Sequence, residues 1–143
     1  MRHLAPAFFV LIAAVVLASC GGSERSAATA PNSPAKPGAI VKSVTPAELT
    51  GMLAKKDFVL VNVHIPYEGE IASTDAFIPY DQPDQLLSKL PANRDAKIVL
   101  YCRSGRMSAI ASETLAKNGY ANLLDLTGGM VAWEDAGYEV IRK

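Results

Sequence analysis

From Ile40 onward the chain alternates short apolar runs with segments of helical spacing, and that alternation restricts the fold more than any other feature. Residues 40–44 read as a short strand. Thr45-Pro46-Ala47-Glu48 then opens a helix: Thr45 can accept a free first-turn amide, Pro46 suits the first helical position, and Glu48 can reach back to close a capping box. This helix is expected to end near Ala54. Residues 58–63 form an apolar strand interrupted by Asn62, followed by an irregular stretch over 64–80 punctuated by Pro66, Gly69 and Pro79. A short helix over 83–90 stops at Pro91, residues 97–101 make a third buried strand, and residues 107–118 a helix closed by Gly119. Residues 122–126 give a fourth strand, Gly128-Gly129 a turn, residues 130–136 a helix, and residues 138–141 a last strand.

Apolar strands separated by helices favour a parallel sheet with helices on both faces, because each crossover returns the chain in the same direction. All carboxyl ends of such a sheet lie on one edge, where ligands bind. Val63-His64, Tyr101-Cys102 and Leu126-Thr127 are therefore expected to converge. Trp133 and Tyr138 read as core or sheet-covering residues.

Cys102 lies where the third buried strand ends and a helix begins. Arg103, Ser104, Gly105, Arg106 and Met107 connect the two. Gly105 allows a tight backbone, and loop amides, a helix N-terminus and two arginines surround one sulfur. An ordinary thiol of pKa ~8.5 is only about 3% ionised at pH 7, and no single neighbour is strong enough to change that much. Loop amides and arginines are expected to act together in holding a thiolate, with Arg103 and Arg106 also attracting an anionic substrate.

His64 ends the second strand and could form a Cys–His pair, as in a thiol hydrolase, although a structural, hydrogen-bonded histidine is the simpler reading. His64, Tyr67 and Glu70 fall in a segment expected to line the same edge as Cys102. His64, Glu68 and Glu70 around Pro66 have no recognised metal-ligand spacing, and no metal or cofactor is expected.

The run Tyr101-Cys102-Arg103-Ser104-Gly105-Arg106-Met107-Ser108 resembles the second half of a rhodanese (thiosulfate sulfurtransferase) domain. So do Ala111 and Leu115 in the next helix, Gly119-Tyr120, Leu124-Asp125-Leu126, Gly128-Gly129-Met130 and Trp133. The resemblance implies an α/β fold with a central, mainly parallel five-stranded sheet. It also implies that Cys102 takes a sulfane sulfur from a donor such as thiosulfate and passes it, through a persulfide, to a thiophilic acceptor such as cyanide or a thiol.

The first half departs from that family. Asn62-Val63-His64 stands where Asp-Val-Arg is usual, and Gly69-Glu70-Ile71-Ala72-Ser73-Thr74 where Gly-His-Ile-Pro-Gly-Ala is common. A binding module that has lost efficient turnover is therefore a second expectation. Cysteine phosphatases of related fold carry a phosphate-clamping arginine at the seventh loop position, which is Ser108 here, so phosphoryl chemistry lacks its clamp.

The N-terminus reads as an export signal: Arg2 and His3 precede an apolar stretch from Ala7 to Leu17, too short for the roughly 20 residues of a membrane span. Leu17-Ala18-Ser19-Cys20 resembles a bacterial lipobox, which implies cleavage of residues 1–19 and lipidation of Cys20. Residues 20–39, rich in Ser, Ala, Pro and Gly, then form a flexible linker to a domain over 40–143. Cleavage would remove 19 of the 143 residues and leave 124, enough for one domain. It also leaves 13 basic against 14 acidic residues, a net charge of −1 that gives no footprint for nucleic acid. The expected setting is the cell envelope, on the periplasmic face. The outer membrane is favoured in a Gram-negative cell because Gly21, not Asp, follows Cys20. The membrane is met only through the lipid, and the partners expected are a small sulfur-containing anion and a thiol acceptor.

Overall fold

Thr45 and Glu48 close the capping box that their spacing predicts: Thr45 N–H donates to Glu48 Oε2 at 2.8 Å and Glu48 N–H donates to Thr45 Oγ1 at 3.3 Å. The structure, a computed structural model, describes residues 40–143. The export signal over 1–19, Cys20 and the linker over 20–39 lie outside the described residues. In chain order the elements are β1 (Lys42–Val44), α1 (Pro46–Leu53), β2 (Val59–Asn62), β3 (Glu70–Ile71), β4 (Ala76–Phe77) and α2 (Pro83–Lys89). They continue with β5 (Ile98–Tyr101), α3 (Arg106–Lys117), β6 (Leu123–Leu126), α4 (Gly129–Asp135) and β7 (Val140–Ile141). None of these helices is long and apolar enough to cross a membrane.

Five strands form one parallel sheet in the order β1-β6-β5-β2-β4. Its fifth strand is not the one the pattern pointed to. Residues 138–141 yield only β7, which pairs antiparallel with β3 outside the main sheet. The outer edge of β2 is filled instead by β4, from the stretch expected to be irregular. Asp75 N–H donates to the Leu60 carbonyl at 2.9 Å and Ile78 N–H to that of Asn62, also at 2.9 Å, so backbone pairing runs past both ends of a two-residue strand. Two residues beside Pro79 carry no periodicity, which is why the sequence hides them.

The pleat of β5 divides the core. Ile98, Leu100 and Cys102 face α2 and α3 with Leu86, Ala111 and Leu115. Val99 and Tyr101 face α1 and α4 with Leu49, Met130 and Trp133. Leu100 is fully buried, so truncation to Ala would cost about 2–5 kcal/mol. Tyr101 is buried with a hydroxyl that must be satisfied: Ile71 N–H donates to it at 3.0 Å, and Thr74 Oγ1 lies 2.7 Å away. These bonds fasten the 70–74 segment to the central strand.

Candidate active site

The loop after β5 curls around its own cysteine. Gly105 has φ +97°, a left-handed conformation that most residues avoid, and this turns its N–H inward to donate to Cys102 Sγ at 3.1 Å. Its carbonyl then accepts from Ala109 N–H at 3.1 Å as α3 begins. A helix of 12 residues therefore starts directly behind the sulfur, with the positive end of its dipole toward it. Ser108, in the first turn of α3, is fully buried; its Oγ lies 3.1 Å from the Gly105 carbonyl and 3.7 Å from Sγ. Cys102 itself is 1% exposed, so the sulfur sits beneath the loop rather than on it.

A second element holds the loop from behind. Gly129 has φ +58°, and a Cβ there would lie 2.3 Å from the Cys102 carbonyl oxygen and 2.7 Å from that of Arg103. Only glycine permits this approach, and with it the start of α4 rests on the loop backbone.

The two arginines stand elsewhere than expected. Arg103 is exposed and donates from Nη1 to Glu68 Oε2 at 2.9 Å. Arg106 is exposed, and among the hydrogen bonds and ion pairs of the described residues neither guanidinium reaches Sγ. The sulfur's polar partners are an amide and a hydroxyl. Arg103 instead edges a cleft of about 380 Å³ with Glu68, Met130, Val131, Glu134 and Arg142. Ser104 is exposed at the loop crest.

His64 is 7% exposed; its Nδ1 lies 3.3 Å from Met107 Sδ and its Nε2 lies 3.4 Å from Glu68 Oε2. No Cys–His hydrogen bond is among its contacts, so the activated pair considered above does not form. Asn62, fully buried where the family usually carries Asp, organises this segment: its Nδ2 donates to the Gly69 carbonyl at 2.8 Å and its Oδ1 accepts from His64 N–H at 3.0 Å. Tyr67 packs edge-on against Phe77 with ring centroids 5.4 Å apart, and the Glu70 carboxylate takes Lys143 Nζ at 2.6 Å. Neither lines the cleft beside the loop; Glu68 does. Among the described residues no group of three or more His, Cys, Asp or Glu side chains could hold a metal ion.

Sequence reasoning gave no part in the site to Ser108, which lies beside the sulfur, or to Asp125 in β6. Ser108 follows Gly105 by three positions, the spacing that returns a first-turn side chain to the loop. Asp125 stands alone among leucines in β6, and a lone acid in a buried strand is a signal in itself. Burial holds its carboxyl above the ordinary carboxylate range.

A parallel α/β sheet whose central strand ends in a cysteine cradled by a glycine amide and a helix N-terminus defines a class of domain built around that one cysteine. Residues 45–136 match the family described as Rhodanese-like domain, and the chain belongs to that family. A sulfurtransferase from Allochromatium vinosum is 34% identical over 107 residues, covering 71% of this chain and 96% of that protein. A rhodanese-like domain protein from Staphylococcus aureus superposes with a TM-score of 0.59 at 32% identity, covering 72% of this chain and all of that one. A rhodanese-related protein from Thermoplasma volcanium gives a TM-score of 0.61 at 30% identity, over 71% and 99% of the two chains. Family and relatives together support sulfur transfer in general.

Proposed function

We propose that the protein is a sulfurtransferase that carries sulfane sulfur on Cys102. The carrying observation is the Gly105 N–H donated to Sγ at 3.1 Å, at the start of α3. In the first step the Cys102 thiolate attacks the outer sulfur of thiosulfate. A new S–S bond forms, the donor's S–S bond breaks, sulfite leaves with the bonding pair, and Cys102 becomes a persulfide anion. In the second step cyanide or an acceptor thiolate attacks the outer sulfur, the persulfide bond breaks, and Sγ leaves as the original thiolate. No external oxidant or reductant is needed. Amides that hold the thiolate also suit the negative terminal sulfur of the persulfide. Arg103 and Arg106, exposed on the loop, draw a dianionic donor toward it.

The test is thiosulfate-to-cyanide transfer by the full chain beside Cys102→Ser, with intact mass after donor exposure. Transfer by the wild type alone, with a mass gain of one sulfur atom, is the expected result; equal activity in both chains overturns it. One observation favours a second reading, a rhodanese-like module that binds an anion or a protein without turnover: Cys102 is 1% exposed. Ligand binding that is unaffected by Cys102→Ser, with no persulfide formed, selects that reading.

We further propose that cleavage before Cys20 and lipidation of that residue present the domain at the envelope. Mass spectrometry of the protein isolated from its membrane should find an acylated Cys20 at the N-terminus. An intact residue 1–19 segment overturns this.

A further inference from the structure

One oxygen of Glu68 is approached from two sides. Arg103 Nη1 donates to Oε2 at 2.9 Å from the sulfur loop, and His64 Nε2 lies 3.4 Å from the same atom. The first contact is a hydrogen bond and the second is not: Nε2 is buried and has no hydrogen-bond partner among the described residues. On the other side of the ring, Nδ1 lies 3.3 Å from Met107 Sδ. A carboxylate and a thioether only accept, so a neutral imidazole has one N–H for these two neighbours, whereas a protonated ring has one for each. Glu68 is the one charged group among the polar contacts of His64. Asn62, from β2, and Met107, from α3, are neutral, and the titratable Cys102 of the sulfur loop has its contacts with Gly105 and Ser108.

We propose that His64 is a positioning residue for the anionic donor, acting through Glu68: a proton on Nε2 draws Glu68 Oε2 to the ring and frees Arg103 to bind the anion. This rests on Arg103 drawing thiosulfate to the loop. With the ring neutral, the carboxylate is held by Arg103 alone and offsets its charge at the cleft edge. With the ring charged, Nε2–H donates to the same oxygen in a charge-assisted bond. The Arg103 side chain is 58% exposed and has room to turn away from Glu68. One carboxylate then faces two cations, and the surplus positive charge lies beside the sulfur loop. Histidine changes charge between pH 5 and 8, so this chain is expected to hold its donor more tightly in mild acid. Arginine, usual in the family at this position, keeps its charge throughout and would give no such response.

The experiment is thiosulfate binding to the full chain carrying Cys102→Ser, which cannot accept sulfur, followed through the amide signals of the loop in 15N–1H spectra. The Kd should be about threefold lower at pH 6 than at pH 8, the size that an exposed cation allows. Adding His64→Gln should reduce that ratio below about 1.5-fold, because no proton then arrives at Glu68. Adding Glu68→Gln instead should give the tighter Kd at both pH values, because Arg103 is free throughout. A pH response that survives His64→Gln belongs to Glu68 itself, and one that survives Glu68→Gln in full belongs to direct attraction by the ring; either result overturns the proposal.

A second readout keeps His64 in place and so does not depend on how the variants fold. The pH at which thiosulfate affinity changes should coincide with the pH at which the ring 13C signals of His64 titrate, and a mismatch overturns the proposal. Binding that is present but flat with pH removes the role of His64 and leaves Arg103 as the donor's contact. No binding at either pH removes both. Neither measurement requires sulfur transfer, so the persulfide chemistry of Cys102 stands or falls separately.

Discussion

Met130 N–H donates to the carbonyl of Cys102 at 2.9 Å, and Val131 N–H donates to that of Arg103 at 3.0 Å. Amides in the first turn of a helix have no partner within it, and here the loop supplies carbonyls for two of them. Helix and sulfur loop therefore settle one another, and Gly129 is the hinge on which they meet.

Gly129→Ala should disturb both. The added carbon would sit 2.3 Å from the Cys102 carbonyl oxygen on a backbone with φ +58°, so the loop must move. A loss of about 2–4 kcal/mol in urea unfolding is expected, with transfer activity reduced at least about tenfold in the folded fraction.

Arg103 and Glu68 give two substitutions of opposite sign. Arg103→Ala should raise the KM for thiosulfate about fivefold with kcat little changed, because an exposed cation contributes about 1 kcal/mol to an anion at most. Glu68→Gln releases Arg103 from its 2.9 Å contact and should lower that KM. Initial rates at two ionic strengths check both, since added salt should shrink the two differences.

The central architecture was legible because its elements are long or strongly punctuated. Thr45, Pro46 and Glu48 announce α1, and the unbroken apolar run of β5 places Cys102 at a strand end. The edge was less legible. A two-residue strand such as Ala76–Phe77 is defined by the vacancy it fills beside β2, not by its own pattern. Within the site the loop, its glycine and its sulfur were readable. The arginines were assigned to the sulfur because they carry the loop's charge, whereas a long side chain goes where its partner is, and Arg103 finds Glu68. Ser108 was legible as part of the motif but not as a neighbour of Sγ, because only the turn at Gly105 brings its hydroxyl back onto the loop.

Tyr101 predicts an alkaline limit to stability. Burial pushes its phenol up to about 12, against 10.0 for the ordinary group, so the folded chain holds this proton more tightly than the unfolded one. Its contribution is complete below about pH 10 and is lost as pH rises toward 12, at most about 3 kcal/mol in all. Urea unfolding from pH 8 to 11.5 should show that decline, and Tyr101→Phe should flatten it. At neutral pH the same variant should be about 1–2 kcal/mol less stable, because Ile71 N–H loses its acceptor.

Asn62→Asp restores the residue usual in the family and should nonetheless destabilise this chain. The amide that donates to the Gly69 carbonyl at 2.8 Å would become an oxygen facing an oxygen in a fully buried position. A cost of about 2–3 kcal/mol is expected from urea unfolding at pH 7, diminishing in acid as the new carboxyl takes up a proton.

The antiparallel pairing of β3 with β7 joins Glu70 to Ile141 and Ile71 to Val140. A nascent chain thus makes its central strand and its cysteine long before the residues that clasp the segment following Glu68. On the ribosome the sheet can assemble first, whereas Glu68 and Arg142, which edge the same cleft, meet only once β7 pairs with β3.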